Sequence, residues 1–276
     1  MRKELRRNRQ FWDWQTTENV KADRYEVGRL RRGGSTLHGL EMREVGPVKG
    51  KRLLHLQCNV GVDSISWARR GARVTAVDFS APALEFGRKL AAELEVGLEF
   101  VESDVYSLPG RLRRAGKFDI VFTSYGVLWW LPDLRRWAKV AANFLRPGGM
   151  FYIAEHHPIA ATFGDSSYGD GRSPVYRYFQ GRLPLRTGLD GDFLAKRGSV
   201  KAVMHYGWIH QLGEVIDSLI SAGLRIEHVH EFPFSDFPQF DGMRRDRDRM
   251  FRMPPELDRF PMTYSIRASK PRRSRS

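Results

Sequence analysis

Two aspartates, two adjacent histidines, a tyrosine and one polar loop are the residues of this sequence whose types and places suit chemistry. Asp78 and Asp104 each stand just beyond a short apolar run, followed by Phe79 and Val105. A carboxylate at the first place accepts hydrogen bonds from ribose hydroxyls; one at the second accepts from an adenine amino group. The loop Gln57-Cys58-Asn59-Val60-Gly61 leads from an apolar run into a helical one, so its amides and the helix N-terminus can meet a ligand carboxylate. An isolated acid at a strand end is often a helix cap, and Asp78 alone reads equally well as one. Together with the loop the two acids favour an adenosine compound. The dinucleotide fingerprint needs glycines where the backbone approaches a pyrophosphate. Here Gln57 and Asn59 stand at the first two places and only Gly61 remains. That points to an adenosine ligand without pyrophosphate.

The elements that position these residues follow from hydropathy spacing. Residues 52–57, 73–77, 98–101, 118–124 and 150–155 read as short apolar strands. Between them, 63–70, 80–94 and 133–145 have helical spacing, with Gly71 stopping the first and Ser80 capping the second. A helix at 210–222 and strands at 225–231 and 262–268 complete the pattern. Strands apolar on both faces, alternating with helices, specify an α/β fold with a Rossmann-like, doubly wound sheet. Ligands of such sheets sit beyond the carboxyl ends of the strands, where Asp78, Asp104, Ser124, Tyr125, His156 and His157 all fall.

Five stretches are expected. Residues 1–40 form a helical segment whose Trp12, Trp14 and Tyr25 either close over the adenosine as a lid or pack on the sheet edge; Ser35 is the expected cap of a short helix. Residues 41–158 are the cofactor-binding core, and 159–207, aperiodic and rich in Gly, Ser, Tyr and Arg, an irregular cap insertion after the fifth strand. Residues 208–270 finish the sheet, and 271–276 are a basic tail.

Composition narrows the class. The 276 residues are 41% hydrophobic and 28% charged, as in an ordinary globular protein. No run approaches the ~20 apolar residues of a membrane span, and no secretory signal is evident. The single cysteine, Cys58, excludes an internal disulfide and suits a reducing cytoplasm, the expected location. With no base to activate it, Cys58 reads as a small buried side chain. His156, His157, His205 and His210 lack carboxylates at ligand spacing, so no metal site is expected. The net charge of +14 gathers in arginine-dense patches such as RRDRDR at 244–249. It reads as a solvated basic surface, with nucleic acid or an anionic substrate as the alternative.

The run LLHLQCNVGVDSISWARRGARVTAVDFSAPAL (53–84) resembles the core of class I S-adenosylmethionine-dependent methyltransferases, and more narrowly a bacterial small-molecule branch with an HLQC-type loop. SDVYSLP (103–109), KFDIVFTSYGVLWWLPDL (117–134) and FLRPGG (144–149) match that family's later motifs in order, and 205–234 and 262–270 resemble its C-terminal part. The resemblance implies a seven-stranded sheet with the last strand antiparallel, inserted between strands five and six. It implies S-adenosylmethionine as cofactor and S-adenosylhomocysteine as product. Asp78 would hold the ribose, Asp104 with Val105 would frame the adenine, and Ser124 would line the methionine end. His55 replaces the acid usual before the loop, and Gln57 and Asn59 replace two glycines, which is expected to keep the loop at less strained backbone angles.

Transfer from a sulfonium needs mainly in-line placement of a nucleophile, helped by a base where that nucleophile must lose a proton. His156, His157 and Tyr125 are the candidates. The bland alternatives are a structural histidine before Pro158 and a packing aromatic. The expected acceptor is a small molecule recognised by the 159–207 insertion. An RNA methyltransferase and a non-catalytic binding protein on the same fold are the alternatives.

Overall fold

The computed structural model describes residues 3–164, 173–187 and 204–272. At its centre lies a seven-stranded sheet of β1 (Arg52–Leu56), β2 (Arg73–Asp78), β3 (Glu99–Glu102), β4 (Phe118–Ser124), β5 (Leu145–His156), β6 (Arg225–Phe232) and β7 (Thr263–Ser269). The order is β3-β2-β1-β4-β5-β7-β6. β1 to β5 are parallel, and β7 runs antiparallel to both its neighbours. The helices are α1 (Lys3–Lys21), α2 (Val27–Arg31), α3 (Gly39–Val45), α4 (Val62–Arg69), α5 (Ala81–Glu93), α6 (Leu108–Arg111), α7 (Leu134–Phe144), α8 (Pro158–Thr162) and α9 (Leu212–Ser221). No helix among the described residues is long and apolar enough to cross a membrane.

Alternation along the strands divides the core into two layers. Leu54, Val121 and Phe151 pack with Trp137 of α7 and Leu219 of α9. Leu53, Ile120 and Tyr152 face the other way, with Leu40 of α3 and Trp67 of α4. Ser80 caps α5, its hydroxyl accepting from the Ala83 amide, and Asp133 caps α7 through the Arg136 amide. The expected cap at Ser35 is not formed. His38 precedes α3 without a side-chain cap, because residues 35–37 are drawn out along α4. There the Thr36 amide donates to the Ser66 hydroxyl at 3.1 Å and the Thr36 hydroxyl to Asp63 at 2.5 Å.

Two additions flank the sheet. Between β6 and β7, the strands Phe234–Ser235, Arg244–Arg245 and Phe251–Arg252 form a small antiparallel sheet. Two-residue strands carry no hydropathy period, so sequence spacing had nothing to register here. In the irregular segment after β5, Leu185–Thr187 pairs with His205–Gly207; residues 165–172 and 188–203 of that segment, and 273–276 of the basic tail, lie outside the described residues. Helix α1 docks on this pair: the Asn8 amide donates to the Tyr206 carbonyl and accepts from the Tyr206 amide, both at 2.8 Å. Buried Phe11 sits 5.5 Å from the Trp130 ring and 4.1 Å from His205.

Gly207 marks a close approach. A Cβ there would stand 1.9 Å from Cε2 of Trp129. Gly207→Ala is therefore expected to lower the urea midpoint by an amount worth about 1–3 kcal/mol. Gly213→Ala, in α9 with nothing within 4 Å of the added carbon, should be neutral or stabilising. Equal midpoints for the two variants would refute the packing.

Candidate active site

The carboxyl ends of β1, β2 and β4 open onto one cavity of about 220 Å³, whose lining includes Gln57, Cys58, Asn59, Asp78, Phe79 and Ser124. A smaller space of about 60 Å³ continues it, bounded by Gln57, Phe79, Asp104, Val105, Tyr106 and Leu5 of α1. The expected cofactor residues therefore share one crevice, with Asp104 and Val105 at its far end. Gly61 is placed differently. It turns the chain into α4 at φ +72°, and a Cβ would meet the Phe100 ring at 2.6 Å, so its role is the turn and close packing.

The loop does not relax as expected. Gln57 and Asn59 both take left-handed backbone angles, φ +56° and +51°. Tertiary bonds hold the glycine-like shape despite the side chains. The Gln57 amide donates to the Val127 carbonyl at 3.1 Å, and the Asn59 backbone N–H donates to Asp78 Oδ2 at 2.8 Å. Asp78 Oδ1 accepts from the Ser80 amide at 2.9 Å. Burial raises the Asp78 carboxyl to about 6, against the opposing help of these backbone donors. His55 is neutral, pushed down to about 3 by burial, and its Nδ1 lies 2.8 Å from the Ser64 hydroxyl. Burial pushes the Cys58 thiol up, which suits a packed side chain rather than a nucleophile.

Trp12 and Tyr25 of the N-terminal segment line the cavity; Trp14 does not, and packs on Phe11 with centroids 5.9 Å apart. Asp13 fastens α1 by accepting from the Ser80 hydroxyl at 2.7 Å.

A second, wider space of about 690 Å³ shares Tyr25, Val62, Asp63, Tyr125 and Asp236 with the first. Its remaining wall includes His38, Phe237 and Phe251, so the β6–β7 insertion and the N-terminal segment build it. The two are clasped together. Glu26 receives Arg245 and Arg249, and Arg249 also donates to the carbonyls of Thr36 and Leu37. Arg249 of the 244–249 patch is thus structural, which corrects its reading as solvated surface, while Arg244, Arg245 and Arg247 remain exposed.

The three proposed bases are placed unequally. His156 Nε2 lies 2.7 Å from Asp236 Oδ1. Burial would lower this histidine, but Asp236 and Glu155 outweigh it and raise the pKa; His156 in turn outweighs burial and holds Asp236 below the usual carboxylate value. His156 and Asp236 therefore form an ion pair. His157 lies outside both cavities: its Nδ1 accepts the Ile159 amide at 3.1 Å, capping α8, and its Nε2 is 2.9 Å from Glu231. Tyr125, at φ +42°, lies between the cavities with its phenol pushed well above 10 by burial. That suits a hydroxyl donor, not a base.

Two wall residues escaped the sequence reading. Asp236 follows the carboxyl end of β6, the same rule that singled out Asp78. His38 carried no local signal. Burial holds His38 below the usual histidine value, with Asp236 and Asp63 pulling the other way, and its Nδ1 has no hydrogen-bond partner. Carboxylates also reach the histidines in space: besides Asp236 and Glu231, Glu214 lies 3.2 Å from His210.

The fold is an α/β domain with a crevice at the carboxyl edge of its sheet, and buried acceptors without partners on the crevice wall, Thr16 Oγ1, Gln57 Oε1 and Asn59 Oδ1, fit the hydroxyls and ammonium of S-adenosylmethionine. Residues 54–153 match the methyltransferase domain family. The chain is 29% identical over 157 residues to a ubiquinone biosynthesis O-methyltransferase of Erwinia tasmaniensis, covering 51% of this chain and 63% of that protein. It is 39% identical over 114 residues to a demethylmenaquinone methyltransferase of Clavibacter sepedonicus, covering 41% and 44%. A crystal structure of an S-adenosylmethionine-dependent methyltransferase from Mesorhizobium loti superposes with a TM-score of 0.57 at 27% identity, over 83% of this chain and 96% of that one. Residues 54–153 thus carry a methyltransferase domain, and the chain resembles the S-adenosylmethionine-dependent methyltransferases in fold, which supports S-adenosylmethionine as cofactor. It spans less than two thirds of the length of the two curated relatives named.

Proposed function

We propose that this protein methylates a hydroxyl group on a small aromatic acceptor held in the wider cavity, with His38 as general base. The observation that carries the reading is a half-buried histidine, its pKa lowered by burial and its Nδ1 without a hydrogen-bond partner, on the wall of a space joined to the cofactor crevice. Four aromatic side chains, Tyr25, Tyr125, Phe237 and Phe251, border that space, which suits a ring. The O-methyltransferase name of the Erwinia relative agrees with an oxygen acceptor.

When bound, S-adenosylmethionine supplies a methyl group already made electrophilic by the sulfonium, and leaves as S-adenosylhomocysteine. Asp78 would hold the ribose, Gln57 and Asn59 the amino-acid end, and Phe79 with Val105 the adenine faces. Ser124 lies on the same wall. His38 takes the proton from the acceptor hydroxyl as the oxygen–methyl bond forms and the sulfur–methyl bond breaks. Asp236, anchored by His156, keeps a negative charge beside the resulting imidazolium. Tyr125 donates to the acceptor oxygen, and the aromatic side chains around it limit the access of water.

The test is release of S-adenosylhomocysteine by the full chain with a panel of phenols, catechols, amines and thiols. Turnover is expected with a phenol or catechol. His38→Gln should lower it roughly 10²-fold with cofactor affinity unchanged in calorimetry. The active base is the unprotonated ring, so kcat/KM should rise with pH and level off below the usual histidine range. No turnover with any hydroxyl acceptor, or normal turnover in His38→Gln, overturns the reading.

A further inference from the structure

Apart from the cavities, three ligand-type side chains meet over the β6 edge of the sheet. His228 and His230 are two residues apart on β6 and so project from one face. Glu44, near the end of α3, reaches both. The imidazoles stack with centroids 4.3 Å apart at 15°. Glu44 Oε1 lies 2.7 Å from His230 Nδ1, and Oε2 lies 3.8 Å from His228 Nε2. One ligand atom from each residue lies within 4.8 Å of the others.

The pairing is incomplete. Glu44 Oε2 and His228 Nε2 are both buried, and neither has a hydrogen-bond partner. At 3.8 Å they are too far apart to bond one another. They are close enough to share a cation held at roughly 2.0–2.2 Å from each. Arg267, the neighbouring cation, is turned away, donating to Glu227 at 2.8 Å and to the Glu44 backbone carbonyl at 2.9 Å.

We propose that Glu44, His228 and His230 bind one divalent transition cation of the zinc class. Two imidazoles and a carboxylate are a donor set that suits zinc, with water completing the tetrahedron at the exposed side of His230. None of the three residues lines either cavity, so the cation is structural. It fastens α3 to the edge strand, and α3 begins beside His38, so it stiffens the acceptor wall at its base.

Untagged full-length chain, stripped with chelator and dialysed against Zn²⁺, should take up one equivalent and gain thermal stability. Cobalt in its place should give the visible absorption of a four-coordinate ion. His228→Ala, His230→Ala and Glu44→Gln should each weaken zinc binding by more than the ~10–100-fold seen on losing an outer-shell partner, while S-adenosylmethionine affinity, read by calorimetry, stays unchanged. Glu44→Gln preserves shape, and circular dichroism would verify folding of all three. Absence of zinc uptake overturns the proposal; so does equal uptake by the His228→Ala/His230→Ala double variant, which would place the metal elsewhere.

Discussion

Asp78→Ala is expected to weaken S-adenosylmethionine binding about 10³-fold. A carboxylate that accepts two ribose hydroxyls contributes two charge-assisted hydrogen bonds, each worth roughly 1.5–3 kcal/mol, and Asp78 is the acid of the crevice wall that ends β2, Asp63 and Asp236 standing on other elements. The variant will not leave the fold untouched. Asp78 also receives the amides of Asn59 and Ser80, and removing it leaves two N–H groups without acceptors, at about 1–3 kcal/mol each. Asp78→Asn, nearly the same size, separates the effects: it should remain folded by denaturant titration while affinity falls. The wild type carries its own control. With the carboxyl raised to about 6, and hydroxyl donors favouring its ionised form, affinity should climb as pH rises toward 6 and be flat above it. Calorimetry across pH 5 to 8 reads this directly. Unchanged affinity in both variants would remove Asp78 from the cofactor site.

Glu41→Gln is expected to stabilise the protein at alkaline pH by up to roughly 5 kcal/mol. Glu41 lies fully buried on α3, and burial, with Asp63 adding to it, raises its carboxyl from 4.5 to about 8. A raised folded value means that the native state keeps a proton that the unfolded chain has lost. Stability is therefore full below 4.5, declines as pH rises through 8, and is lowest above it. Glutamine carries no such proton, so the gap between variant and wild type should be small at pH 5 and widest near pH 9, in urea titrations of both. A gap that does not change with pH would show that Glu41 titrates normally. The same residue touches function, because Glu41 stands beside the Tyr125 phenol.

Separation along the chain divides the features legible in the sequence from those that were not. β4 is found at 118–124, the bounds its hydropathy specified, and Ser80 caps α5 as a serine before such a helix should. These depend on neighbours in the chain. Asp78, Asp104 and Ser124 were legible for a related reason: in a parallel sheet, a residue that ends a strand is already assigned to the ligand edge. The loop angles were not. A lone reading of Gln57 and Asn59 favours ordinary angles, and only the bonds to Val127 and from Asp78 hold them at positive φ.

What this sequence determined by itself is the sheet, its winding and which residues stand at the crevice along its carboxyl edge, because periodicity and strand ends are local properties. What the tertiary structure alone decided is the acceptor wall and the protonation of the groups on it. His156 meets Asp236 across 80 residues of chain, and Arg249 meets Glu26 across 223. Burial, which sets the pKa of His38, Glu41 and Asp78, has no value until those distant segments close.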